Sequence, residues 1–141
     1  MMTAILCPAH GGPEVLQVAS LPRPAPGAGE VLIRVCAAGI NFPDILSVAG
    51  TYPIPSQPPF VPGIEGAGIV EVCGPQVARL RPGDRVCWQD NRRKGAFAEY
   101  LALPNVFCAG GSWVAPDALV QAQDWKAISD LARKAIAASG R

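Results

Sequence analysis

The sequence is short of charge and has no concentrated basic surface. Of its 141 residues 16% are charged, and the formal net charge is +1. Because binding to nucleic acid or to an anionic membrane needs a strong positive field, this balance argues against both partners. The local basic cluster Arg92, Arg93 and Lys94 has no interleaved aromatic residues, which favours a solvated loop over a phosphate site.

Cysteine occurs in a pattern that excludes two common kinds of site. The five cysteines stand at positions 7, 36, 73, 87 and 108. Their number is odd and no Cys-x-x-Cys pair is present, so neither a disulfide framework nor a zinc ribbon fits. Free thiols in a reducing compartment are the expected state.

The sequence also lacks the features of a membrane span or a secretion signal. The uncharged run from Tyr100 to Pro116 is shorter than the roughly 18 residues that a span needs, and prolines and glycines interrupt it. The N-terminus has no basic region and soon reaches Pro8 and Gly11, unlike a signal peptide. The sequence therefore predicts a cytoplasmic protein without a membrane partner.

The chain changes character near residue 100, since fourteen of its 15 prolines lie at or before Pro104. Up to Leu103 it consists of short β-prone runs separated by Gly/Pro turns, which predicts a mainly β domain, a small β-barrel, over residues 1–103. The runs are Ala4–Cys7, Val15–Val18, Val31–Cys36, Gly68–Cys73, Arg85–Trp88 and Gly95–Leu103.

Residues 104–141 predict a strand-loop-helix tail, an α-helical appendage to the barrel. Apolar residues recur there at the spacing of one helix face, at Trp125, Ile128, Leu131, Ala132, Ala135 and Ile136. Asp124 suits the N-cap of this helix and Gly140 the residue after its last turn. Pro116 suits the start of a shorter helical turn.

Several segments of the first part share the order and spacing of one family. They are His10–Leu16, Pro26–Val35, Ala37–Asp44, Pro62–Val72, Leu80–Val86 and Gly95–Tyr100. Together they resemble a zinc-independent quinone oxidoreductase of the medium-chain dehydrogenase/reductase family. The resemblance covers roughly residues 3–103 and implies the GroES-like barrel that forms the substrate half of these enzymes.

The resemblance implies a site without metal. In zinc-dependent relatives a cysteine stands where Asn41 stands here and a histidine where Ile64 stands, and neither Asn nor Ile offers a ligand that zinc prefers. In zinc-independent relatives the hydride comes from NADPH, and the matching substrate-binding residues here are Asn41, Tyr52 and Asp44. An Asn amide or a Tyr hydroxyl can hold a quinone oxygen on which charge develops.

Each of these three residues also has a purely structural interpretation. Asn41 follows Gly39 and could satisfy turn backbone. Asp44 could cap a short helix over Phe42–Val48, and this is its main expected role. Tyr52 lies in a proline-rich loop and could serve packing alone.

Gly63, Gly66 and Gly68 form a Gly-x-x-Gly-x-Gly pattern that differs from a dinucleotide fingerprint, because a strand and not a helix follows it. We expect these glycines to permit a tight bend and a close backbone approach. The true fingerprint occurs nowhere in the chain, so we expect no Rossmann domain here and no cofactor bound by this chain alone. NADPH is implied by the family.

The tail carries a second resemblance. Residues 100–139 are similar to the C-terminal end of a 2-keto-3-deoxy-6-phosphogluconate aldolase, in which a Gly-Gly-Ser loop helps to bind phosphate. The matching residues are Gly110, Gly111 and Ser112. No lysine stands in the Schiff-base context, and one strand with its helix cannot close an eight-stranded barrel, so aldolase activity is not expected. We hypothesise that the two resembling segments meet at a fusion joint near residues 98–104.

Three functional hypotheses follow. The first is a truncated NADPH:quinone oxidoreductase-like protein, with the substrate-side domain only, acting on a quinone or enone and inactive as an isolated chain. The second is a non-catalytic GroES-like module that binds a small molecule or a partner. The third is a fusion relic carrying the aldolase phosphate loop. An unfinished barrel edge further predicts a homo-oligomer or a partner chain.

Overall fold

The structure is a computed structural model that describes residues 1–90, 95–104 and 117–138. The helices and strands in these ranges are β1 (Met2–Leu6), β2 (Gln17–Leu21), β3 (Glu30–Ala38), α1 (Phe42–Ala49), β4 (Glu65–Cys73), β5 (Arg85–Gln89), β6 (Tyr100–Pro104), α2 (Asp117–Gln121) and α3 (Trp125–Ala138). The chain divides into two compact units, Met1–Cys108 and Ala109–Arg141. The predicted boundary between residues 103 and 104 stays a prediction.

The first unit is built on two antiparallel sheets, which confirms the mainly β prediction. One sheet pairs β1 with β2, and the other has the strand order β5-β4-β3-β6. Ile33 in the central strand β3 lies opposite Val70 on one side and Leu101 on the other. An isolated bridge between Ala4 and Ala98 joins β1 to the segment before β6. Within the described residues the ladder of strands stays open.

The strands follow the predicted β-prone runs, with two differences. Val15 ends a single 3₁₀ turn, so that β2 begins at Gln17. The run predicted over Gly95–Leu103 is too long, because β6 begins only at Tyr100. The amides of Gly95 and Ala96 instead donate to the Gly63 carbonyl oxygen at 3.0 and 3.1 Å. These amides therefore bind the loop before β4 and not a neighbouring strand.

The core of the first unit lies on one face of the four-stranded sheet. In β5, Val86 and Trp88 are buried while the residues between and beside them are exposed, as the two-residue period of a strand requires. The core residues are Val31, Ile33, Val70, Val86, Trp88, Ala96 and Leu103. Cys7 is buried separately, and its burial raises the pKa of its thiol, which donates to the Ala9 carbonyl oxygen at 3.2 Å.

The second unit contains α2 and α3. The predicted long helix is confirmed, and Asp124 caps it, since its Oδ1 accepts from the Ala127 amide at 2.9 Å. Ile128 and Leu131 are half-buried, as expected for the apolar face. Pro116 and Gly140 lie outside the described residues. No helix in the described ranges is both long and apolar enough to cross a membrane.

Candidate functional site

The first turn of α1 holds two of the three predicted site residues. Asn41 is the N-cap of the helix, with extended φ and ψ, and it forms a capping box with Asp44. The backbone amide of Asn41 donates to Asp44 Oδ2 at 2.9 Å, and the backbone amide of Asp44 donates to the backbone carbonyl oxygen of Asn41 at 3.0 Å. The capping role expected for Asp44 is therefore confirmed.

The Asp44 carboxylate also reaches a distant part of the chain. Its Oδ1 accepts from the Gly63 amide at 3.2 Å, and the whole residue is only 3% exposed. Gly63 has a φ of 98°, and a Cβ built there would lie 2.8 Å from the Phe97 backbone nitrogen. The predicted tight bend is thus confirmed at this position, since only glycine fits the conformation and the space.

The Asn41 carboxamide presents a hydrogen-bond donor that the described residues do not use. Its Nδ2 is buried and has no hydrogen-bond partner in the described part of the chain. An amide group buried in this way costs about 1–3 kcal/mol, and an acceptor placed beside it would recover that cost. A carbonyl oxygen has the required chemistry because it accepts hydrogen bonds and donates none.

Two further buried polar atoms in the described ranges also lack a partner, and their surroundings differ. Glu71 Oε2 belongs to a carboxylate whose other oxygen pairs with Arg23 at 2.6 Å. Trp88 Nε1 belongs to a core side chain. Asn41 differs from both because its two sequence neighbours, Ile40 and Phe42, are both exposed large apolar residues.

An exposed apolar surface lies next to Asn41. Ile40, Phe42 and Ile45 are 81%, 69% and 53% exposed, although large apolar side chains usually pack inside. They lie within the segment that enters α1 and its first turn. The surface beside the Asn41 donor is therefore suited to an apolar molecule.

Tyr52 lies beyond the other end of α1. The helix ends at Ala49 and is followed by the C-cap Gly50, which has a φ of 77°. The Tyr52 backbone amide donates to the Leu46 carbonyl oxygen at 3.2 Å. The chain therefore folds back after α1, so that the Tyr52 backbone lies beside the C-terminal half of the helix, while Asn41 lies at its N-terminal end. The structure therefore brings Asn41 and Asp44 together at the start of α1 and places the Tyr52 backbone beside Leu46.

The donor set around Asn41 does not suit a metal ion. Ile64 is 2% exposed and offers only a hydrocarbon side chain, and the Cys36 thiol lies 3.8 Å from the Arg34 carbonyl oxygen. In the described ranges no three His, Cys, Asp or Glu side chains come together in a way that could hold a metal. Among the residues that the structure describes, zinc would therefore find no set of the thiolate, imidazole or carboxylate ligands that it prefers.

The structure adds two features that the sequence did not reveal. One is the bond between Asp44 and Gly63, which the Asn-x-x-Asp spacing alone could not indicate. The other is the exposure of the apolar residues around Asn41. The predicted phosphate-binding residues Gly110, Gly111 and Ser112, and the basic cluster at residues 92–94, lie outside the described residues.

A family model described as the alcohol dehydrogenase GroES-like domain matches residues 27–112. The match extends past the joint hypothesised near residues 98–104 and includes Gly110, Gly111 and Ser112. The aldolase resemblance gains no support from it.

Relatives and solved structures agree with this match. A quinone oxidoreductase from Pseudomonas aeruginosa is 42% identical over 95 residues, which are 67% of this chain and 29% of the relative. A quinone oxidoreductase structure from Pseudomonas syringae superposes with a TM-score of 0.69 at 38% identity, over 79% of this chain and 34% of that one. A structure of an NAD-dependent alcohol dehydrogenase gives 0.68 at 35% identity, over 74% and 38%. The chain thus spans about a quarter to a third of the length of the curated relatives that it matches.

Proposed function

This chain belongs to the alcohol dehydrogenase GroES-like domain family, and on that premise we propose that it is the substrate-side domain of a zinc-independent NADPH:quinone oxidoreductase-like protein. The observation that carries the proposal is the buried Asn41 Nδ2 donor, which has no partner among the described residues. A quinone or enone oxygen would accept from this donor. Tyr52 is proposed as a second contact to the substrate and Asp44 as part of the same site.

The chemistry of this donor suits carbonyl reduction. When a hydride adds to a quinone or enone, negative charge develops on the carbonyl oxygen, and a donor fixed in advance stabilises it. Asn41 sits at the N-cap of α1, where the helix dipole also favours negative charge. The exposed Ile40 and Phe42 side chains would contact the apolar ring of such a substrate.

The glycine-rich segment at the start of β4 does not fit the cofactor. Gly63, Gly66 and Gly68 lead into strand β4 and not into a helix, so they do not form a dinucleotide site. We therefore propose that NADPH is held by another segment or chain and that the isolated 141 residues are inactive. Zinc independence is supported by the hydrocarbon side chain of Ile64, which lies where zinc-dependent relatives have a histidine.

Quinone affinity tests the proposal directly. The probe is tetramethyl-1,4-benzoquinone, whose ring carbons are all substituted and so resist addition of the exposed Cys36 and Cys87 thiols. Removing a hydrogen bond costs about 0.5–1.5 kcal/mol, so Asn41→Ala should weaken binding about three- to tenfold. The matched control is Gln89→Ala, which removes an exposed carboxamide on β5 and should leave affinity unchanged. Equal affinity of both variants and the parent would contradict the proposal.

A second candidate is a non-catalytic module that binds a small molecule or a partner, and the missing dinucleotide fingerprint favours it for these residues alone. Titration with NADPH, followed through the fluorescence of Trp88, Trp113 and Trp125, tests whether these residues bind the cofactor at all. Saturable micromolar quenching would mean that the chain does form a nicotinamide site, across a dimer for example. No quenching up to millimolar NADPH would be compatible with the binding module and with a domain completed elsewhere.

We also propose that the first unit pairs with a second copy or with another chain. Strand β5 ends the four-stranded sheet, and β4 is its only hydrogen-bonded neighbour within that sheet in the described residues. Open strand edges favour pairing with further strands. Light scattering at increasing concentration would show the oligomer, and a monomer at all concentrations would refute self-association.

A cytoplasmic location is proposed because the four described cysteines are free.

A further inference from the structure

Each of the two Asp44 carboxylate oxygens accepts a hydrogen bond from a different backbone amide. Oδ2 accepts from Asn41 within α1, and Oδ1 accepts from Gly63, nineteen residues further along the chain. Hydrogen bonds to an ionised carboxylate are roughly twice as strong as bonds between neutral groups. Because Asp44 is 3% exposed, water cannot readily replace either bond.

Gly63 is in turn fixed to the segment that precedes β6. Its carbonyl oxygen accepts from the amides of Gly95 and Ala96 at 3.0 and 3.1 Å, and Ala96 belongs to the core. A continuous series of hydrogen bonds therefore runs from the core through Gly63 and Asp44 to the Asn41 backbone. The first turn of α1 cannot shift relative to the sheet without breaking a buried bond in this series.

We propose that Asp44 is a positioning residue, which holds the Asn41 carboxamide in place for the substrate carbonyl. The inference rests on the proposed function of Asn41 and assigns Asp44 no contact with the substrate. Preorganised donors stabilise developing charge better than mobile ones because they need no reorganisation during the reaction. An asparagine at position 44 would keep one acceptor oxygen and turn an NH2 group towards the other amide, so one of the two bonds would be lost.

A double-mutant cycle separates positioning from a merely structural role. The quinone affinity of the full chain is measured for Asp44→Asn, for Asn41→Ala and for the two together, with tetramethyl-1,4-benzoquinone as the probe. If Asp44 acts through Asn41, Asp44→Asn weakens binding about threefold in the parent and leaves it unchanged in the Asn41→Ala background. Equal losses in both backgrounds would overturn the positioning role. No loss for Asn41→Ala itself would overturn the proposed function as well.

The control for the cycle is Asp84→Asn. The Asp84 carboxylate also accepts from a backbone amide, that of Arg81 at 2.8 Å, in the turn before β5. This variant should leave quinone affinity unchanged in both backgrounds. A loss equal to that of Asp44→Asn would overturn the specific role of Asp44.

A measurement on the unmodified chain keeps the inference testable if Asp44→Asn does not fold. Nitrogen relaxation of the Asn41 side-chain amide reports whether the carboxamide is held. A positioned group should give an order parameter above about 0.8, close to that of rigid backbone. A value below about 0.6 would show a mobile carboxamide and overturn the inference.

Discussion

Replacing Gly63 with alanine should destabilise the first unit more than the same replacement at an open glycine. Gly63 has a φ of 98°, and a left-handed conformation costs a residue with a Cβ about 1–2 kcal/mol. The added Cβ would lie 2.8 Å from Ala96 Cβ, from Phe97 Cδ1 and from the Phe97 nitrogen. Overpacking of this kind adds about 1–3 kcal/mol. Gly63→Ala should therefore lose about 2–5 kcal/mol of unfolding free energy.

Gly83 provides the matched control. Its φ is 97°, nearly that of Gly63, yet a Cβ built there would meet nothing within 4 Å. Gly83→Ala should therefore lose only the backbone cost of about 1–2 kcal/mol. Urea unfolding, followed by fluorescence and by circular dichroism, measures the free energy of unfolding of both variants. An unchanged slope of this free energy against urea concentration would confirm that the two-state comparison holds. A loss for Gly63→Ala no larger than that for Gly83→Ala would refute the close packing around Gly63.

Four further predictions concern other features of the chain. The exposed thiols of Cys36 and Cys87 should be alkylated in the native protein well before the buried thiol of Cys7, whose raised pKa also keeps it protonated. Peptide mass mapping measures the three rates, and an equally fast reaction of Cys7 would refute this prediction. The contribution of Cys7 burial to the free energy of unfolding should be complete below pH 9.0, the ordinary pKa of the thiol. It should be lost as the pH rises from there towards the higher pKa of the folded state, and unfolding curves measured at a series of pH values would show this loss. Asp124→Ala should cost α3 about 1 kcal/mol and speed exchange of the Ala127 amide; unchanged exchange would contradict the cap. Dialysis against a chelator should leave the melting temperature unchanged, and a fall would contradict zinc independence.

The strands were largely predictable because their signal is local. Val31–Cys36 and Gly68–Cys73 are β-prone runs closed by turn residues, and both lie in strands of the first unit. The prediction failed at Gly95, where alternation continues in the sequence but the amides bind Gly63 instead. A contact between segments more than thirty residues apart leaves no periodic pattern in either of them.

The helix cap at the candidate site was predictable from the sequence, but its tertiary contacts were not. The Asn-x-x-Asp spacing at a helix start indicates a capping box, and Asn41 and Asp44 form one. The second bond of Asp44, to Gly63, depends on tertiary packing that the spacing does not encode. The exposure of Phe42 and Ile45 was equally hidden, because apolar residues at a helix start usually indicate a buried face.

The most direct test of the central claim is to observe the Asn41 side-chain amide by NMR during titration with tetramethyl-1,4-benzoquinone. Asn41 Nδ2 has no hydrogen-bond partner among the described residues, so a carbonyl that binds there should give it its first strong acceptor. We expect one Nδ2 proton to shift downfield in a saturable manner, while the exposed Gln89 side-chain amide stays unchanged. If the quinone binds and the Asn41 amide does not shift, the substrate carbonyl lies elsewhere and the proposed role of this site is wrong.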